Sequence, residues 1–308
     1  VPGDVTAEMG LALLDVADAL RPHPEVVAHL RTLPPGSDGG FLRDLEPLPG
    51  GPDARRAIEG WLDRYGMRGQ GEIDITRPRW RERPATLLPV LLGHVDALDP
   101  GEHERRLERG RAAAREAETD LIARLRELPD GDAKAEETAA TIARLRTFAG
   151  FREHPKFALI ARLGLYKEAM APEIDRLVAT GVIGDRDDAS FLTFDELEAA
   201  VRTGRADTAL DALIVRRREE HRWHASLTPP RILTSDGETF VGSHHRDDAP
   251  PGALVGVAVS AGTVEGTARV VHDLAAARLR LGDVLVTTHT DPSWTPAFVT
   301  VAGLVTEV

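Results

Sequence analysis

The stretch FREHPKFALIARLGLYKEAM, residues 151–170, holds the side chains best suited to chemistry. Arg152 and Lys156 lie four positions apart. Pro155 between them fits the first turn of a helix, where a missing N–H costs little. That turn presents free N–H groups and the positive end of the helix dipole, so it favours an anion. Two cations converging there suit a phosphate or a developing oxyanion. Lys156, Ile160, Leu163 and Lys167 share one helical face. The same cations can instead pair with nearby acids such as Glu153, and spacing alone leaves both readings open. Lysine is scarce: only Lys134, Lys156 and Lys167 occur, so two of the three fall in this stretch.

A second segment, GQGEIDITRPRW at residues 69–80, sets Glu72, Asp74 and Arg77 among glycines. Such a loop positions a substrate or an ion, or it is an irregular connection whose charges pair with one another. His244 and His245 are adjacent in a proline-bearing polar stretch. In that stretch they read as a solvated loop rather than metal ligands. His272 and His289 each end an expected strand and read as exposed polar residues. The motifs GxxxxGK[ST], HExxH and GxSxG are absent, which leaves no P-loop nucleotide site.

The elements that must carry these residues are mostly helical up to residue 225. Helices are expected at about 8–20, 54–65, 84–96, 102–128, 133–149, 156–180, 194–202 and 207–225. Pro22 and Pro24 end the first of them. LPPGSDGG at 33–40 and PLPGGPD at 47–53 read as loops. The Arg/Glu-dense 102–128 helix has its charges at i and i+4, a solvated face. Asp236-Gly237 marks a small hairpin. Beyond the linker the period becomes two, with strands expected at 254–259, 267–271, 284–288 and 299–305 and a short helix at 273–280. The fold class is therefore a mainly α-helical domain at 1–243, a linker at 244–252, and a partial α/β domain at 253–308.

Composition bounds the function. The 308 residues carry a formal net charge of −12 and are 42% hydrophobic. That balance supports a real core and argues against nucleic-acid binding, which needs a basic footprint. No apolar run is long enough for a transmembrane helix, so no membrane partner is expected. The first residues lack the features of a secretory signal. With no cysteine, disulfides and thiolate chemistry are excluded, and a cytoplasmic location is expected.

The later residues carry a family resemblance. VGVAVSAGTVEGTARVV, LRLGDVLVTTHTDPSWTPAF and GLVTEV resemble the swivelling phosphohistidine domain of the PEP-utilising enzymes. VTAEMG, YGMRGQGEIDITRPRW, REHPKF, LTFDEL and LTPPRILTSDGE resemble the substrate domain of the rifampicin phosphotransferase family. The order of the two parts is that of this family, and not that of phosphoenolpyruvate synthase.

The resemblance implies an ATP-dependent phosphotransferase of the dikinase type. In it a phosphohistidine carries the ATP β-phosphoryl group to a hydroxyl of rifampicin, releasing AMP and phosphate. ATP and Mg2+ would be held by an ATP-grasp domain that is a further partner of this chain, and a rifamycin-type molecule would be its ligand. Arg152 and Lys156 match the family's polar pair facing the acceptor hydroxyl. Met9, Phe151 and Phe157 are expected in the apolar part of the pocket. The chain is expected to be a fragment: the phospho-accepting histidine would follow just after Val308, so no catalytic residue is assigned here and the chain alone is expected to be inactive. Two alternatives stay open. One is a phosphoenolpyruvate synthase-like enzyme with another alcohol or enol acceptor. The other is a non-catalytic binding protein on the same scaffold.

Overall fold

The fold is that of a computed structural model describing residues 3–34, 37–205, 207–230, 232–240, 250, 255–274 and 277–307. Helices dominate. The first run comprises α1 (Val5–Leu20), α2 (Pro24–Thr32), α3 (Phe41–Asp44), α4 (Gly51–Tyr65) and α5 (Leu88–Ala97). The second comprises α6 (Glu102–Arg126), α7 (Gly131–Phe148), α8 (His154–Ala179), α9 (Phe194–Thr203) and α10 (Thr208–Ala225). Two short strands follow, β1 (Ile232–Leu233) and β2 (Thr239–Phe240), paired antiparallel about the Asp236-Gly237 turn. The last part holds β3 (Ala268–Val270), β4 (Val284–Thr287), α11 (Thr295–Phe298) and β5 (Gly303–Thr306). These three strands form a parallel sheet in the order β3-β4-β5.

The mainly helical fold with a small α/β part is as the sequence implies. Several details differ. Pro24 does not simply end α1: it opens α2, at a position where proline loses no hydrogen bond. Residues 255–259 form no strand; none of the described residues pairs with them, and Val257 and Val259 stay exposed. The expected strand at 299–305 shortens to Gly303–Thr306, because Thr295–Phe298 is helical and the chain turns after it. Residues 277–280 have no regular structure where a helix was expected, and 275–276 lie outside the described residues. So do His244 and His245.

The chain divides into two compact units. One comprises residues 1–167 with 264–308, and the other residues 168–263. In the first unit, α1 is sandwiched by α4, α5 and α11. Its apolar stripe of Met9, Leu13, Val16, Ala17 and Leu20 is buried. The same core takes in Trp61, Tyr65, Trp80 and Leu91, and also Leu285, Trp294 and Ala297 from the sheet region. Asp4 caps α1 by accepting from the N–H groups of Thr6 and Ala7. The charged helix α6 has no buried residue and packs as a hairpin with α7, as its solvated pattern predicts.

The second unit is smaller. Leu177, Val182, Ile183, Leu197, Ala200 and Ile214 form its core. Thr193 and Glu196 make a reciprocal capping box at the start of α9. No helix among the described residues is long and apolar enough to cross a membrane.

Candidate functional site

The loop from Gly66 to Arg83 positions the site. It leaves α4 and doubles back: the Trp80 N–H donates to Arg68 O at 2.8 Å, and the Arg81 N–H to Gly66 O at 2.8 Å. Two glycines make this possible. Gly71 sits at φ +69, which favours glycine. A Cβ on Gly69 would lie 2.7 Å from the Pro78 carbonyl oxygen.

Inside the loop the Arg68 side chain is fully buried and faces the equally buried Glu72. Arg68 Nε donates to Glu72 Oε2 at 2.9 Å and Nη2 to Oε1 at 2.7 Å. This two-pronged geometry is the strongest form of a carboxylate–guanidinium pair. Arg68 Nη1 donates to Thr6 Oγ1 at 3.1 Å, and its guanidinium lies over the Phe157 ring, 5.8 Å from the centroid.

Helix α8 starts against this loop. Pro155 takes its second position, so Lys156 belongs to the first turn. Lys156 Nζ lies 3.4 Å from Glu72 Oε1. Glu72 is already neutralised by Arg68, so the Arg68–Glu72–Lys156 group carries a net positive charge at a helix start. One turn of 3₁₀ helix, Ala149–Glu153, precedes α8 and carries Arg152. Arg152 is 83% exposed and pairs with Glu153 Oε1 at 3.0 Å. The Thr6 hydroxyl donates to Glu153 Oε2 at 3.4 Å. A continuous polar chain therefore runs Arg152, Glu153, Thr6, Arg68, Glu72, Lys156. Both cations pair with acids, yet each keeps an exposed side: Lys156 is 33% exposed.

Further down α8, Lys167 Nζ donates to Arg77 O at 2.7 Å and to Glu82 Oε2 at 2.9 Å, pinning the helix to the same loop. The buried Arg79 donates from Nη2 to Asp74 O, while its Nε and Nη1 have no protein partner among the described residues. Burial lowers its pKa, against the fields of Glu72, Glu82 and Asp74.

The remaining expected residues are placed separately. Met9 is fully buried in the core, and its carbonyl accepts from Trp61 Nε1. Phe157 is partly buried against that core. Phe151 is 54% exposed, with Phe148 and His154 beside it. His289 is exposed and its ring bonds to the neighbouring Thr288 hydroxyl; His272 is exposed too. Arg68 and Thr6 were missed by sequence reasoning. Arg68 stands four residues before Glu72 in a glycine-rich segment, a spacing that announces a pair, but nothing in the sequence says that the pair is buried. Thr6 reaches the site only through the packing of α1.

A sequence profile of the rifampicin phosphotransferase fourth domain matches residues 1–153. The rifampicin phosphotransferase of Streptomyces sviceus is 55% identical over 307 residues, covering 100% of this chain and 35% of the relative. The chain belongs to the rifampicin phosphotransferase family. The rifampicin phosphotransferase of Bacillus subtilis is 47% identical over 308 residues, again 100% of this chain and 35% of the relative. The Prodigiosin synthesizing transferase PigC of Serratia marcescens is 29% identical over 273 residues, 85% of this chain and 29% of that protein. The chain thus spans about a third of the length of these relatives. Rifampicin phosphotransferases are transferases, and the 66–83 loop with the start of α8 lies within the segment shared with them. Among the described residues no group of three or more His, Asp or Glu side chains could hold a metal ion.

Proposed function

We propose that this chain supplies the acceptor side of an ATP-dependent phosphotransferase that modifies a hydroxyl of rifampicin. In the whole protein, residues 1–243 would be a substrate-binding domain and 253–308 part of a swivelling phosphohistidine domain. ATP and Mg2+ would be bound by an ATP-grasp domain, and the protein would work in the cytoplasm.

The observation that carries this reading is the net positive Arg68–Glu72–Lys156 group at the start of α8, with Arg152 exposed one turn upstream. In the transfer step the acceptor hydroxyl would give up its proton as its oxygen bonds to phosphorus, while the bond from phosphorus to the histidine nitrogen breaks and leaves that nitrogen free to take the proton. Negative charge spreads over the three other phosphoryl oxygens. Lys156 and Arg152, with the free N–H groups of the helix start, would counter that charge and orient the acceptor. The exposed rings of Phe148 and Phe151 beside them suit the apolar body of a large ligand.

The test uses the complete reading frame that encodes this chain. Arg152→Ala and Lys156→Ala are assayed for AMP release and for phosphorylated rifampicin. Each is expected to slow transfer by about a hundredfold. Unchanged transfer in both would remove the pair from the site. A second reading, the same scaffold acting on another acceptor, draws on the likeness to Prodigiosin synthesizing transferase PigC. Turnover with pyruvate, through its enol, or with a different alcohol, but not with rifampicin, would favour it. Rifampicin binding with no transfer to any hydroxyl would instead mark a non-catalytic binding protein.

A further inference from the structure

We infer that Glu72 is the positioning residue for Lys156, an assignment that rests on the acceptor-site reading of Lys156. Glu72 is 1% exposed, and its carboxylate is locked in the plane set by the Arg68 guanidinium. Each carboxylate oxygen can accept two hydrogen bonds. Arg68 uses one site on each, so Oε1 keeps acceptor capacity, and Lys156 Nζ stands 3.4 Å from it.

An ammonium on a four-carbon stem has many rotamers, and holding it in one place costs entropy. A rigid buried acceptor offsets that cost before the substrate arrives. Because Arg68 already balances Glu72, the tether fixes Lys156 without cancelling its charge. An isolated buried carboxylate would have trapped the ammonium in a neutral pair. The Arg68–Glu72 pair orients it and leaves it electropositive. Thr6 extends the same frame to Glu153 and so to Arg152. Glu72 touches no substrate in this scheme and acts only through Lys156.

The chain itself provides a clean probe, since it has three lysines. With 15N-labelled lysine, the Lys156 ammonium is expected to show restricted motion like that of Lys167, whose partners are Arg77 O and Glu82. Glu72→Gln should free the Lys156 signal and leave those of Lys134 and Lys167 in place. A Lys156 signal that does not respond overturns the tether. Glu72→Gln leaves Arg68 buried against a neutral amide, which endangers folding. The same spectra are therefore recorded on the double variant Arg68→Met, Glu72→Leu, which removes both charges.

In the complete reading frame, Glu72→Gln should lower kcat for transfer to rifampicin by about tenfold or more, with the ATP-driven loading step unchanged. In a Lys156→Met background the same change should add nothing, because two residues acting as one unit are not additive. Additive losses would show that Glu72 does not act through Lys156. Full transfer in Lys156→Met alone would overturn the acceptor-site reading, a result separable from the spectra.

Discussion

The carboxylate of Asp291 accepts a hydrogen bond from the backbone N–H of Gly71 at 2.8 Å, joining two loops 220 positions apart. Its other oxygen accepts from the N–H of Ser293 and from the Ser293 hydroxyl, capping the short turn Pro292–Trp294. That turn delivers Trp294 into the core against α1. One side chain thus orders the site loop and the region carrying the parallel sheet.

Asp291→Ala should destabilise the protein by about 1–3 kcal/mol, the sum of a lost cap and a lost charge-assisted bond. Hydrogen exchange should quicken at Gly71 and Ser293. Unchanged exchange at Gly71 would mean that the loop holds itself.

The helices were legible in the sequence because their apolar period survives in the folded core, as in the stripe from Met9 to Leu20. The start of α8 was legible too, since Pro155 and Lys156 announce it. The strand at 254–259 misled because alternating Val, Ala and Gly residues fit an extended chain whether or not a neighbour is there to pair with it. Of the strand expected at 299–305 only the later part forms, as Gly303–Thr306, because residues 299–302 make the turn that follows α11. At the site, Arg152 and Lys156 were visible as cations near a helix start. Glu153, the partner of Arg152, was visible beside it. The contacts through Thr6 and Glu72 were not, because these residues arrive from elements 80 or more positions upstream of α8 through tertiary packing.

In the second unit, Asp188 is nearly buried and organises the turn ahead of α9. Its Oδ2 accepts from the N–H groups of Gly184 and Asp185, and its Oδ1 pairs with Arg218 of α10. Asp188→Ala would leave two N–H groups without their acceptor and remove a partner of Arg218. A loss of about 2–4 kcal/mol is expected. Faster exchange at Gly184 and Asp185 would report it, and unaltered exchange there would show that water replaces the carboxylate without cost.

His94 is wholly buried in α5, and its Nε2 lies 2.9 Å from the carbonyl oxygen of Pro296. A carbonyl only accepts, so Nε2 carries the proton and the neutral ring suffices. Burial lowers the His94 pKa to about 4, only partly offset by the bond to Pro296. The unfolded chain binds this proton near pH 6.5, so between there and about 4 it holds more protons than the folded one. Stability is therefore full above pH 6.5 and falls as the pH drops towards 4, by about 3 kcal/mol for this group. Denaturant titrations at pH 7.5 and 4.5 measure the loss, and His94→Gln should remove this part of the pH dependence. A wild-type slope retained in that variant would assign it to another group.

The buried Arg68–Glu72 pair makes opposite demands on single and double replacements. Arg68→Ala leaves the Glu72 carboxylate inside the protein with only Lys156 at 3.4 Å, and should cost about 3–5 kcal/mol. Replacing the pair together, Arg68→Met with Glu72→Leu, removes two desolvation penalties along with one attraction. That exchange is expected to recover most of the loss, as apolar substitutes for buried ion pairs often do. The recovered protein would still lack the frame that joins α1, the 66–83 loop and α8, since Thr6 would lose its Arg68 donor and Lys156 its acceptor. Stability would return without the geometry of the two cations. On the proposed acceptor role, thermal unfolding read beside rifampicin phosphorylation in the complete reading frame separates the two effects: a stable double variant with slow transfer is the expected result. A double variant no more stable than Arg68→Ala would mean that the pair is required for folding rather than for placing charge.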